Sequence, residues 1–187
     1  MKNMATVALM INLGVAGIYA QQRPVRMTFS GNGAGNAVDL KHAGASTVEE
    51  NVAGIGTLGA FTFRDLRAAA AIPQPSSTCA GLFFPSVAGG AIFRFQDGSL
   101  LKVVLTGGGD CVDLVHGVGH CTLNFQIKGG TGRFQNASGV LTYTETALPV
   151  FFDGTGMAPG MTTETGDISG TISGVAILEA PQDEQRE

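Results

Sequence analysis

What the chain has little of narrows it first. It contains no tryptophan, two tyrosines, three cysteines and only 14% charged residues in a length of 187. Lysine and arginine nowhere cluster, and acidic side chains outnumber basic ones 15 to 11. Affinity for nucleic acid depends on grouped cations that displace counterions from phosphates, so no nucleic-acid partner is expected. No internal repeat is sustained, although short TG and SG turns recur. Strong helix signals are also scarce. The 28 glycines, with many threonines and valines, suit short strands and tight turns, because glycine and β-branched residues form helices poorly.

The N-terminus carries the one targeting signal. Lys2 is followed by an uncharged apolar run from Met4 to Tyr19, then Ala20, then the polar Gln21-Gln22-Arg23-Pro24. A basic start, an apolar centre and a small residue at the cut are the order of a signal peptide, here residues 1–20. The alternative, an uncleaved anchor, would need about 20 strongly apolar residues, and Asn12, Gly14 and Gly17 dilute a shorter run. The expected location is therefore secreted or periplasmic, with no membrane anchor after cleavage. The loss of twenty residues and one lysine leaves 167 residues with 10 basic and 15 acidic side chains, a net charge of −5. That length suits one domain, taken as 21–180, with a charged tail at 181–187.

Three cysteines in an exported chain imply one pair and one left over. Cys111 and Cys121 flank DLVHGVGH symmetrically about His116. A hairpin turning near His116-Gly117 would bring their Cβ atoms into facing positions, so Cys111–Cys121 is the expected bridge over either pairing to Cys79.

Alternation with a period of two recurs between glycine bends. Val25, Met27 and Phe29 share a face, and Gly31 to Gly35 breaks the pattern. Lys41 to Asn51 reads as a polar connection containing Glu49 and Glu50. Strand character returns at Val52 to Arg64, with Phe61 and Phe63 together, and Arg64 to Ala71 could run on as a short helix before Pro73 and Pro75. Ala91, Phe93 and Phe95 share a face ahead of the Asp97-Gly98 hairpin signal, and Leu101, Val103 and Leu105 return. After a flexible corner at Gly107-Gly108-Gly109, Cys121, Leu123, Phe125 and Ile127 alternate with polar residues. Leu141, Tyr143 and Glu145 share a later face, and Asp167 to Leu178 closes the domain. About eight regularly spaced strands read as an antiparallel barrel or sandwich.

Several of these segments carry a likeness to a known group. GIGTLGAFTF at Gly54–Phe63, FRFQDGSLLKVVLT at Phe93–Thr106, ISGTISG at Ile168–Gly174 and above all IKGGTGRFQNASGVL at Ile127–Leu141 resemble the allene oxide cyclase barrel-like group, which includes dirigent proteins. The resemblance implies an all-β, eight-stranded antiparallel barrel with an apolar cavity. It also implies a small lipophilic ligand, with cyclase or isomerase chemistry that holds one conformer of a flexible substrate. It makes a dimer or trimer an expectation too. No catalytic residue of the group maps onto a numbered position of this chain.

The residues offer few reactive groups. If the Leu141/Tyr143/Glu145 face is internal, Glu145 is desolvated and could act as an acid beside Tyr143; if it is external, Glu145 is a solvated charge. Arg94 would anchor an anion if inward, and is expected outward between Phe93 and Phe95. Phe61, Phe63, Phe93, Phe95, Leu123 and Phe125 are the expected cavity wall, unless they fill the interior themselves, in which case the domain is a non-catalytic exported structural or interaction module. Gly54-Ile55-Gly56-Thr57-Leu58-Gly59 fits a dinucleotide fingerprint, but strand rather than helix follows it. Asp110, Cys111, Asp113, His116, His120 and Cys121 crowd one hairpin, yet Gly117-Val118-Gly119 breaks the helical spacing of the two histidines. No metal and no cofactor are expected. Asn136-Ala137-Ser138 matches a glycosylation sequon, which matters only in a host that uses it.

Overall fold

Eight antiparallel strands close on themselves in sequence order, in a computed structural model that describes residues 21–36, 44–149 and 160–176. They are β1 (Arg23–Asn36), β2 (Ala45–Gly56), β3 (Phe61–Ala70), β4 (Leu82–Phe95), β5 (Leu100–Asp113), β6 (Val118–Gly130), β7 (Ser138–Leu148) and β8 (Gly160–Ser173). Closure is made by β1 on β8, from Arg23 opposite Ile172 to Gly35 opposite Gly160, so no sheet edge remains open. The expected signal peptide and charged tail lie outside the described residues. No described helix is long and apolar enough to cross a membrane.

The alternation read from the sequence decides which way each side chain points. Val25, Met27, Phe29, Phe61, Phe63, Phe93, Phe95, Leu101, Val103, Leu123, Phe125, Ile127, Leu141 and Ile168 are all buried in one apolar cluster. Their rings touch: Phe63 lies 4.7 Å from Phe93 and 6.3 Å from Phe125, and Phe61 lies 5.5 Å from Phe93, between ring centroids. The barrel is therefore filled by its own side chains over this half.

The GGTGRF corner closes that end. Gly129, at φ +79°, makes a left-handed step near the end of β6, and a 3-10 turn over Gly132–Phe134 drops Phe134 fully into the core. Arg133 then ties three turns together. It donates to the Leu58 carbonyl at 2.5 Å, pairs with Asp97 at 3.0 Å, and stacks its guanidinium over Phe95 and Phe134 at 4.9 and 4.6 Å. The GGTGRF motif is thus an architectural plug.

Strands run further than the sequence reading placed them. Gly31 to Gly35 stays within β1, Glu49 and Glu50 sit inside β2, and Arg64 to Ala70 continues β3 rather than turning helical. Glycine punctuates the barrel without always ending a strand. Gly107-Gly108-Gly109 is not a corner: the register slips between Leu105 and Gly107, so the inward set of β5 changes from Leu101 and Val103 to Asp110 and Val112. β8 begins at Gly160, ahead of the expected Asp167.

The disulfide also differs. Cys79 pairs with Cys111, and Cys121 is free and buried. The hairpin turns one half-step earlier than symmetry about His116 requires, so Cys111 faces His120 while Cys121 faces Asp110. That one-residue offset puts Cys111 and Cys121 on opposite sides of the wall. The Cys79–Cys111 bridge pins the β3–β4 connection to the outside of β5. Closing a separation of 32 residues, it is expected to contribute about 3–4 kcal/mol by restricting the unfolded chain. Reductant or a Cys79→Ala/Cys111→Ala double variant should lower the urea midpoint accordingly, whereas a disulfide without stabilising effect would leave it in place.

A buried belt of carboxyl groups as the candidate functional site

Above the aromatic half, the interior changes character. Glu50 from β2, Asp65 and Arg67 from β3, Asp110 from β5, Cys121 from β6, Glu145 from β7 and Glu164 from β8 all point inward and are buried. The two strands that contribute no ionisable group supply glycine instead. A Cβ on Gly33 in β1 would collide with Glu164 Oε1, and one on Gly89 in β4 would come within 2.6 Å of Arg67 Cβ. These absent side chains make room for the long polar ones opposite.

Register explains the grouping. Glu50 faces Asp65 across β2 and β3, and Asp110, Cys121 and Glu145 form a continuous row across β5, β6 and β7. Arg67 is the hub. Its Nη1 donates to Glu50 Oε1 and, at 2.8 Å, to Asp65 Oδ2; its Nη2 donates to Asp110 Oδ1 at 3.1 Å and approaches Cys121 Sγ at 3.7 Å. Tyr143 OH donates to Glu145 Oε2, and Thr162 donates to Glu164 Oε1 at 2.8 Å. Stacking fixes Tyr143, with Phe29 at 4.6 Å and Phe63 at 5.4 Å between centroids. The aromatic half therefore ends on a phenol whose hydroxyl belongs to the belt.

Charge does not balance here. Among the described residues, five buried carboxyl groups share one guanidinium. Glu50 Oε2, Asp65 Oδ1, Asp110 Oδ2 and Glu164 Oε2 are buried with no hydrogen-bond partner among the described residues. Removal from water disfavours the ionised form, so burial pushes Glu145 up to about 9, with the Glu50 and Glu164 carboxylates adding to it. Burial likewise raises Glu164 to about 8, again reinforced by Glu50. Asp65 rises to about 7, because burial outweighs the attraction of Arg67. For Arg67 itself burial opposes the charge, but the Glu50 and Asp110 carboxylates prevail and hold the guanidinium protonated. Burial and the neighbouring Asp110 charge push the Cys121 thiol up, and burial with the Glu50 and Glu145 charges does the same to the Tyr143 phenol.

Of the residues singled out from sequence, the structure brings Glu145 and Tyr143 into this belt. Arg94 stays outside, in a groove of about 1000 Å³ on the outer wall that Arg64, Leu66, Ile92 and Lys102 also line. Phe61, Phe63, Phe93, Phe95, Leu123 and Phe125 are buried against one another in the opposite half. The crowded hairpin splits: Asp110 and Cys121 enter the belt, Cys111 is in the disulfide, and His116 pairs with Asp113 at 2.7 Å in solvent. Sequence reasoning missed Glu50, Asp65, Arg67 and Glu164 as interior groups. The signal was present in the alternation: Phe61, Phe63, Asp65 and Arg67 share one parity.

No family model matches this chain, and no curated protein matches it.

Proposed function

We propose that the protein is an exported barrel that binds a small lipophilic molecule at the carboxyl-rich end of its interior, the reading that its resemblance to the allene oxide cyclase barrel-like group also favours. Export is supported by the N-terminal sequence and by the Cys79–Cys111 disulfide, since such bonds persist in oxidising compartments. The observation that carries the binding reading is the layering of the interior. The belt has buried polar atoms left without partners, and the buried side chains of Val48, Ala69, Phe84, Val112 and Ala147 give the same end apolar surface. A few fixed polar groups set in an apolar surround are the usual composition of a small-molecule site. A ligand there would lay its hydrocarbon part on the apolar side chains and turn one polar group towards the belt. Confinement of that kind would favour one conformer of a flexible substrate, the contribution a cyclase or isomerase needs.

A second reading has its own observation. The six side chains expected to wall a cavity fill the other half completely, as they would in a non-catalytic exported domain. Native mass spectrometry of the chain purified from its own host, followed by titration with the neutral fluorophore Nile red, separates the two. A retained small-molecule adduct and saturable Nile red binding are expected. Ala69→Phe, which fills the apolar surround, should weaken that binding at least tenfold while the circular dichroism spectrum stays that of a barrel. Neither adduct nor saturable binding in the folded wild type would leave the second reading standing.

A further inference from the structure

Within the belt, three side chains that can ligate a metal converge. Glu50, Cys121 and Glu145 each offer one ligand atom, the three atoms lie within 4.8 Å of one another, and all three residues are buried. They come from three different strands, and the Cys121–Glu145 pairing across β6 and β7 is fixed by register. A second observation concerns Glu50: its Oε2 is buried with no hydrogen-bond partner among the described residues, while Arg67 donates to Oε1. Tyr143 OH donates to Glu145 Oε2.

We infer that Glu50, Cys121 and Glu145 form a binding site for a thiophilic divalent transition-metal ion of the zinc type. One thiolate and two carboxylates match the ligands zinc accepts, at about 2.3 Å for sulfur and 2.0–2.2 Å for oxygen. Those lengths set donor-to-donor separations near 3.5 Å in a tetrahedron, so side-chain rotations of roughly 1 Å close the site. The thiolate selects against magnesium and calcium, which take oxygen ligands. Arg67 on Glu50 and Tyr143 on Glu145 would then orient the two carboxylates from behind, the arrangement in which outer hydrogen bonds tune a metal centre. Electrostatics favours occupancy: the belt holds five carboxyl groups against one guanidinium, and a dication removes charge that would otherwise be removed by protons. A fourth coordination position stays free for a water or a ligand oxygen. Such a site runs against the absence of a metal expected from sequence, and it stands whether or not an organic molecule binds.

Cobalt(II) chloride is the probe, because a cobalt–thiolate bond gives a near-ultraviolet charge-transfer band. The full exported chain has three cysteines, and Cys79 and Cys111 are in the disulfide, so any such band must come from Cys121. The expected result is uptake of one Co²⁺ per chain with that band, displacement by Zn²⁺, and loss of the band in Cys121→Ser. Glu50→Gln should weaken uptake at least tenfold. Cys121→Ser is nearly isosteric and decides the matter if Glu50→Gln does not fold. No band in the folded wild type, or a band that survives in Cys121→Ser, overturns the site. Because the readout is metal uptake, it fails or succeeds independently of Nile red binding.

Discussion

Arg67→Met is expected to be among the most damaging single substitutions in the barrel. Among the described residues Arg67 is the only cation paired with Glu50, Asp65 and Asp110, and all four side chains are buried. Methionine fills much of the same volume, so the loss is electrostatic rather than a cavity. Removing one partner of a buried ion pair leaves an uncompensated charge and costs about 3–5 kcal/mol. For a domain of this size that is a fall in melting temperature on the order of 10 °C, a large share of the roughly 5–15 kcal/mol that holds a native protein together. The control is Arg64→Met. Arg64 makes an ion pair with Glu49 at 2.5 Å, but on the outer wall with the arginine largely in water, where such pairs contribute little. Its melting curve should overlay the wild type. Equal curves for Arg67→Met and Arg64→Met would show that the belt is not an electrostatic unit.

Why the barrel was legible in the sequence while its polar belt was not follows from two residues of β3. Phe61 and Phe63 announce an internal face, because apolar side chains at a period of two have one explanation. Asp65 and Arg67 continue the same face, but a charged residue on an alternating strand is by default a solvated one, and that default won. The pattern fixed parity; the chemistry of the side chain argued against it. Glu50 was hidden in a second way, by the polar neighbours Glu49 and Asn51, which made the strand look like a connection. Glu145 was recoverable because Leu141 and Tyr143 preceded it on an unbroken strand, leaving only the choice of face. Cys121 followed from parity, on the buried face of Leu123, Phe125 and Ile127. Asp110 needed more: its inward position follows from the register slip in β5 and the half-step in the hairpin, and register of that kind is set by the pairing of strands rather than by either strand alone.

Stability should fall as pH rises from about 5 to 9 in chain treated with a chelator, so that protons alone answer the charge of the belt. The groups facing one another there are Glu50 from β2, Asp65 and Arg67 from β3, Asp110 from β5, Cys121 from β6, Tyr143 and Glu145 from β7 and Glu164 from β8. Asp65, Glu145 and Glu164 have folded pKa values of about 7, 9 and 8, against ordinary values of 3.8, 4.5 and 4.5. A carboxyl group with a raised pKa holds its proton more tightly in the native state than in the unfolded one. Its contribution is therefore intact below the ordinary value, declines as pH climbs towards the folded value, and levels off above it. Three such groups place the decline between pH 4 and 9. A tenfold difference in proton affinity between the two states corresponds to about 1.4 kcal/mol, and mutual coupling keeps the three groups from adding in full, so the total fall is on the order of several kcal/mol. Glu49 and Asp113 are displaced in the opposite direction, downward, by Arg64 and His116, and act below this window. Urea midpoints measured at pH 5, 7 and 9 should drop steadily in the wild type and much less in Glu145→Gln/Glu164→Gln, whose amides cannot ionise. A midpoint that is level or rises over that range would mean that the buried carboxyl groups are ionised throughout.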